Sequence, residues 1–95
     1  MRTRYIDHPS YLEVVTDEAV RAAAYAGHAN ARVCDSAYAG REDTGTWAAE
    51  AAAWDERKRE ALARIPLREE RAMVTGLANA AYNTAFQPYN PAEQH

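Results

Sequence analysis

Residues 10–39 read SYLEVVTDEAVRAAAYAGHANARVCDSAYA, and this stretch decides the fold. Apolar or small side chains recur along it at spacings of three and four, which is the period of one face of an α-helix. That face consists of Leu12, Val15, Ala19, Ala22, Ala26, Ala29, Val33 and Ser36. Ser10 and Glu13 have the spacing of a capping box at its start, and Gly40 follows its end as a C′ residue. We therefore predict one long helix over 10–39.

Two features of this stretch weigh against an unbroken helix. Thr16 is followed by Asp17 and Glu18, which offers a competing helix start. Gly27 costs about 1 kcal/mol relative to Ala in a helix interior. Because the periodic face continues through both positions, we expect one helix and leave open a break at Thr16 or at Gly27.

Two further helices are predicted, over 46–65 with Thr46 as its cap and over 66–86. The inner face of the first comprises Trp47, Ala51, Trp54, Lys58, Ala61, Leu62 and Ile65. The apolar side of the second comprises Leu67, Met73, Val74, Leu77, Ala78, Ala81, Ala85 and Phe86. Pro66 breaks or kinks the chain between them, because proline lacks a backbone donor and clashes with the preceding turn. Two separate helices with Pro66 in the first turn of the second, and one kinked helix, both fit this pattern.

The sequence thus predicts an all-α fold, a small antiparallel helical hairpin or three-helix bundle in a single domain over 1–95. Residues 1–9 form an N-terminal arm and residues 87–95 a tail. Alanine supplies 22 of the 95 residues, whereas Val, Leu, Ile and Phe together supply 12. This is less than the fifth of the chain that these four residues usually supply in a globular domain. Small side chains let helix axes approach toward ~8 Å. The shortage of large apolar residues predicts that a second copy or another protein completes the burial.

Composition also bounds the class of protein. The net charge is −3 with both signs interspersed, which provides no general field for nucleic acid or an anionic membrane. No run approaches the roughly 20 apolar residues of a membrane helix, and Met1–Ser10 lacks the pattern of a secretory signal, so we expect a cytoplasmic protein without membrane contact. The single cysteine, Cys34, is expected to be a buried residue in a reducing compartment. High alanine content and ten arginines against one lysine indicate GC-rich coding, as in an actinobacterium or its phage.

Catalytic and metal-binding patterns are not evident in the sequence. His8, His28 and His95 lack the i,i+4 pairing of helical zinc sites, and we expect His28 to be a polar helix-face residue. Ser10, Ser36 and Cys34 have no neighbouring His–acid arrangement. We therefore expect a protein that is not an enzyme and has no metal, catalytic residue or cofactor.

Aromatic residues are the candidates for partner binding. Two Trp rings one heptad apart either fill the core or form a hot spot for a partner, and tyrosine is common at interfaces. The candidate partner-binding residues are Trp47, Trp54, Tyr11, Tyr25, Tyr38 and Tyr82. The leading hypothesis is a small non-enzymatic interaction or regulatory protein that binds a host protein or associates with itself.

A nucleic-acid-binding module is the alternative. Arg57, Arg64, Arg68 and Arg71 fall at spacings of seven, four and three, so they would form one row along a helix that continues through Pro66. Such a row could follow phosphates. Interleaved glutamates, with Asp55–Arg59 and Glu60–Arg64 at i,i+4, favour a self-paired solvated face.

The C-terminal sequence Tyr89-Asn90-Pro91-Ala92-Glu93 resembles the Tyr-X-X-X-acid signal of small helical-hairpin proteins of type VII secretion. This resemblance implies a secreted helical hairpin and is kept as a minor alternative. The sequence departs from the family at its centre, where Gly45-Thr46-Trp47 reverses the Trp-X-Gly order of the family's turn. Tyr38 to Glu42 also fits the short C-terminal pattern.

Overall fold

The structure, a computed structural model, describes residues 10–87. It consists of helices α1 (Tyr11–Ala39), α2 (Thr44–Ala63) and α3 (Arg68–Ala85), with no strand among the described residues. The predicted all-α fold is confirmed. The N-terminal arm 1–9 and residues 88–95 of the tail, with His8, Tyr89 and His95, lie outside the described residues.

The ends of α1 follow the sequence signals. The Ser10 hydroxyl accepts a hydrogen bond from the Glu13 amide at 3.1 Å, and the Glu13 carboxylate accepts one from the Ser10 amide at 2.9 Å. At the other end, Gly40 adopts a left-handed conformation with φ 70°, and the Arg41 amide donates to the Ser36 carbonyl at 2.8 Å. This is the Schellman arrangement, and it needs glycine because L side chains are strained at positive φ.

Between these ends, α1 is continuous through both Thr16 and Gly27. Its periodic face is the inner one: Val15, Ala19, Ala22, Ala26, Ala29 and Ser36 are buried, and Leu12 and Val33 are partly so. The predicted long helix is therefore correct.

Helix α2 runs antiparallel to α1. The Trp54 ring packs on Tyr25, and further along the same pair of helices the Arg64 guanidinium pairs with Glu18. Contacts therefore move toward the start of α1 as α2 proceeds.

Helix α3 runs parallel to α1. Val74 packs in the same cluster as Val15, and eight residues later Tyr82 lies against Gly27. Helix α1 packs against both other helices, whereas α2 and α3 contact each other only sparsely. The long first helix is thus the centre of the assembly and has two separate seams.

The boundary of α2 differs from the prediction. It begins at Thr44 rather than at 46, so Thr46 is not its cap. Asp43 occupies the N-cap position, but its side chain does not bond to the helix backbone. The carboxylate instead accepts from the Trp47 indole N–H at 3.2 Å. The Trp47 indole thus binds the Asp43 carboxylate, which would otherwise accept hydrogen bonds from the first backbone amides of α2.

The chain between α2 and α3 breaks fully. α2 ends at Ala63, and α3 begins at Arg68 after an extended Leu67, so Pro66 is not in its first turn and the two are not one kinked helix. The Arg71 Nε donates to the Ile65 carbonyl at 3.1 Å, and its Nη2 to the Pro66 carbonyl at 3.4 Å. A side chain thereby satisfies carbonyls that the break leaves without helical partners.

The largest buried apolar side chains lie at the end of the molecule near this break. Val15, Ala19, Ala61, Ile65 and Val74 form one cluster, with Leu12 and Leu62 packed against it. Elsewhere the interior is mostly alanine.

Four expected burial assignments are wrong. Leu67, Met73 and Leu77 are 56%, 54% and 49% exposed, because α3 turns Val74 and Ala78 toward α1 and leaves its flank uncovered. Cys34 is exposed on α1 as well. His28 is exposed, as expected for a polar helix-face residue. No helix among the described residues is long and apolar enough to cross a membrane.

Candidate functional site

Aromatic rings and arginines line the seam between α1 and α2. The rings of Tyr25 and Trp54 lie 4.6 Å apart at 33°, and the Arg57 guanidinium lies 4.5 Å above the Trp54 ring. Nearer the turn, Arg32 lies 5.7 Å from the centre of the Trp47 ring. Both Trp side chains are half-buried by these contacts. The Tyr25–Trp54 and Arg32–Trp47 contacts cross between the two helices, whereas Arg57 lies over Trp54 within α2; both Trp rings have cation–π geometry.

A groove of about 630 Å³ opens beside Trp54 and is floored by Ala22. Charged side chains rim it, and its three arginines already have partners within the molecule. Arg64 pairs with Glu18 of α1 rather than with the predicted Glu60. Arg21 pairs with Asp17 at 2.5 Å. This groove is therefore a surface whose arginines mostly serve the fold.

At the turn between α1 and α2, Asp43 has a pKa below its ordinary value of 3.8. The main cause is the Ser36 hydroxyl, followed among the lowering effects by the Trp47 indole and the Arg41 charge. Ser36 is fully buried and its hydroxyl forms no hydrogen bond of standard geometry, so it acts on the carboxylate as a nearby dipole. The ionised acid thus contacts Arg41 in the turn and Trp47 at the start of α2.

The seam between α1 and α3 is built differently, by close backbone approach. A Cβ atom on Gly27 would lie 2.5 Å from the Tyr82 carbonyl oxygen and 3.2 Å from its Cα. Beside this crossing, the Asn30 amide donates to the Tyr82 hydroxyl at 2.8 Å, and the Tyr82 ring stacks on Phe86 at 5.8 Å. Gly27 is thus a packing requirement, which outweighs its low helix propensity.

The outward face of α3 is the feature that the sequence predictions missed. Beyond the charged first turns of the helix, its exposed side chains from Ala72 onward carry no charge and are Ala72, Met73, Gly76, Leu77, Asn79, Ala80, Asn83 and Thr84. A solvated helix face normally carries charged residues. The signal in the sequence is a run from Ala72 to Ala92 without Asp, Glu, Lys or Arg. We call the eight residues the neutral face.

An apolar groove of about 470 Å³ adjoins this neutral face. Leu12, Thr16 and Val20 line it from α1 at intervals of one helical turn, and Met73 lines it from α3. Glu13 and Asp17 stand at its α1 border. The neutral face therefore continues across Met73 into this groove, and the two acids mark the far border of the combined surface.

The six predicted partner-binding aromatics do not form one patch. Tyr25, Trp47 and Trp54 belong to the α1–α2 seam, and Tyr82 belongs to the α1–α3 seam. Tyr11 and Tyr38 are 60% and 72% exposed at opposite ends of α1, about 40 Å apart at 1.5 Å per residue.

The four arginines of the predicted row do not align along one helix. Arg57 and Arg64 precede the break at Pro66, and Arg68 and Arg71 follow it. Arg57 stacks on Trp54, Arg64 pairs with Glu18, and Arg71 caps carbonyls of the break. Because α2 and α3 are separate helices, the four arginines do not form the single helical row that was predicted to follow phosphates.

Within residues 10–87, no group of three or more His, Cys, Asp or Glu side chains is placed to hold a metal ion. The chain matches no protein-family model, and comparisons with curated proteins and with solved structures give no significant match. Function is therefore inferred from the chain's own residues.

Proposed function

We propose that this chain is a small non-enzymatic protein-interaction protein that binds another helix along the neutral face of α3. The observation that carries the proposal is the exposure of Met73 and Leu77, 54% and 49%, on a face without charge. Exposed apolar patches on a monomer of this size mark interaction sites more often than scattered single residues do.

The chemistry of the face defines the partner. Ala72, Gly76 and Ala80 recur every four residues, and nothing lies within 4 Å of a Cβ placed on Gly76. Small side chains at this spacing leave room for a second helix to approach closely. Met73 and Leu77 flank the stripe and supply apolar contacts. The partner that fits is an amphipathic helix with an uncharged, small-residue face.

Affinity capture from cells that naturally produce the chain tests this proposal. The wild-type protein is compared with Leu77→Lys on the neutral face and with Val14→Lys, an exposed aliphatic residue on α1. Both variants add the same charge to the chain, so its net charge changes equally. A captured protein that is lost with Leu77→Lys and kept with Val14→Lys supports the proposal. A captured set that is the same for all three baits contradicts it.

A further inference from the structure

We propose that the helix bound by the neutral face is the α3 helix of a second copy of this chain, in an antiparallel two-fold dimer. This inference rests on the proposed function, since it names the partner for the same surface. A two-fold interface brings one patch against itself, so the patch must be self-complementary.

Charge favours the neutral face for such self-pairing. The protein is acidic overall, and the exposed sides of α1 and α2 carry acids such as Glu13, Asp17 and Glu56. Two copies that met along those helices would have to desolvate these acids and the arginines that pair with them, as Arg21 does with Asp17 and Arg59 with Glu56, which costs free energy. On the neutral face of α3, no exposed acid or base stands at any position from Ala72 to Thr84.

The register follows from the positions of the small and large residues. With Gly76 of one copy opposite Leu77 of the other, Met73 meets Ala80, so large side chains face small ones along the contact. The same register places Glu70, in the first turn of α3, opposite Asn83, whose amide is able to donate to a carboxylate. An antiparallel pairing thus separates the first-turn acids of the two copies.

The size of the face sets the strength of the dimer. A contact of about four helical turns buries only as much area as the smallest specific interfaces. That area is roughly 1,000 Å² in total over the two copies. We therefore expect a dissociation constant in the range of about 10 to 1,000 µM, which corresponds to weak, reversible association.

Analytical ultracentrifugation of the full chain over a range of concentrations tests the dimer. We expect the wild type and Val14→Lys to shift from monomer to dimer over the same range, and Leu77→Lys to require at least tenfold higher concentration. A wild type that stays monomeric at about 1 mM overturns the inference, as does equal weakening by both lysine variants. Circular dichroism confirms that each variant remains helical.

A mixing experiment tests the register. Met73→Lys and Ala80→Glu each place a charge in the contact and are expected to be monomeric alone. When mixed, the new lysine of one copy faces the new glutamate of the other, and we expect a heterodimer. Failure to associate on mixing contradicts the antiparallel register. If the wild type is monomeric, the dimer is excluded. Capture of a different protein through the neutral face then still tests the proposed function independently.

Discussion

The two seams of α1 hold their partner helices by different means. Toward α2, side chains span the gap, with the Tyr25 ring on Trp54 and Arg32 against the Trp47 ring. Toward α3, the backbones nearly touch at Gly27 and Tyr82. In the first seam the aromatic side chains contact groups of the same molecule. In the second, large apolar side chains of α3, Met73 and Leu77, stay exposed to solvent. This difference gives the tryptophans contacts within the molecule and makes α3, with exposed Met73 and Leu77, the candidate binding helix.

The largest loss in the free energy of unfolding is expected from a substitution at Gly27, where α1 and α3 lie closest. Gly27→Ala raises helix propensity, but its new methyl group would collide with the Tyr82 backbone, which cannot move without displacing α3. We expect a net loss of about 2 kcal/mol in the free energy of unfolding, measured by urea denaturation at low protein concentration.

Gly76→Ala is the matched control for this substitution. It is also a helix-interior glycine, but nothing lies within 4 Å of the added carbon. We expect it to stabilise the monomer by about 0.5 to 1 kcal/mol. If both glycine variants stabilise the protein, the close crossing at Gly27 is wrong.

A smaller loss is expected on the other seam. Trp54→Ala removes the ring contact with Tyr25 and the platform for Arg57, but the ring is only half-buried. We expect a loss of about 1 to 2 kcal/mol in the free energy of unfolding. Tyr38→Ala, at a residue that is 72% exposed, should change it by less than about 0.5 kcal/mol. Equal effects of the two substitutions would show that Trp54 does not hold the α1–α2 seam.

The smallest change in stability is expected from a substitution at Asp43, in the turn between α1 and α2. Because the pKa of Asp43 is lowered in the folded state, its stabilising effect is present above the ordinary value of 3.8 and is lost as the pH falls through the folded pKa. Asp43→Asn should therefore lower the melting temperature slightly at pH 7 and not at about pH 2.5. Glu42→Gln, at the neighbouring exposed acid, is the control. A difference between Asp43→Asn and wild type that is the same at both pH values would contradict this account.

Local signals in the sequence predicted much of the fold. The capping residues Ser10 and Glu13, the left-handed Gly40 and the periodic face of α1 each act within a few residues, so one-dimensional patterns suffice for them. The sequence does not decide between a full break and a kink at Pro66, because Arg71 satisfies carbonyls exposed there and residue spacing does not reveal that contact.

The candidate surface was harder to predict because it depends on which side of α3 turns toward α1. Met73 and Leu77 fit an inner face by periodicity, yet the close approach at Gly27 directs Val74 and Ala78 inward instead. The burial expected for Cys34 is wrong for a different reason, because it rested on residue type although Cys34 lies outside the periodic face of α1. The charge-free run beginning at Ala72 was the available sequence signal for the neutral face.

The central claim is that the neutral face of α3, and not the aromatic α1–α2 seam, is the binding surface. A dilution series followed by two-dimensional ¹H–¹⁵N NMR tests it most directly. We predict that the amide signals that shift with concentration fall between Ala72 and Thr84 and along Leu12, Thr16 and Val20, beside them. Shifts that cluster instead at Tyr25, Trp54 and Arg57 would contradict the claim.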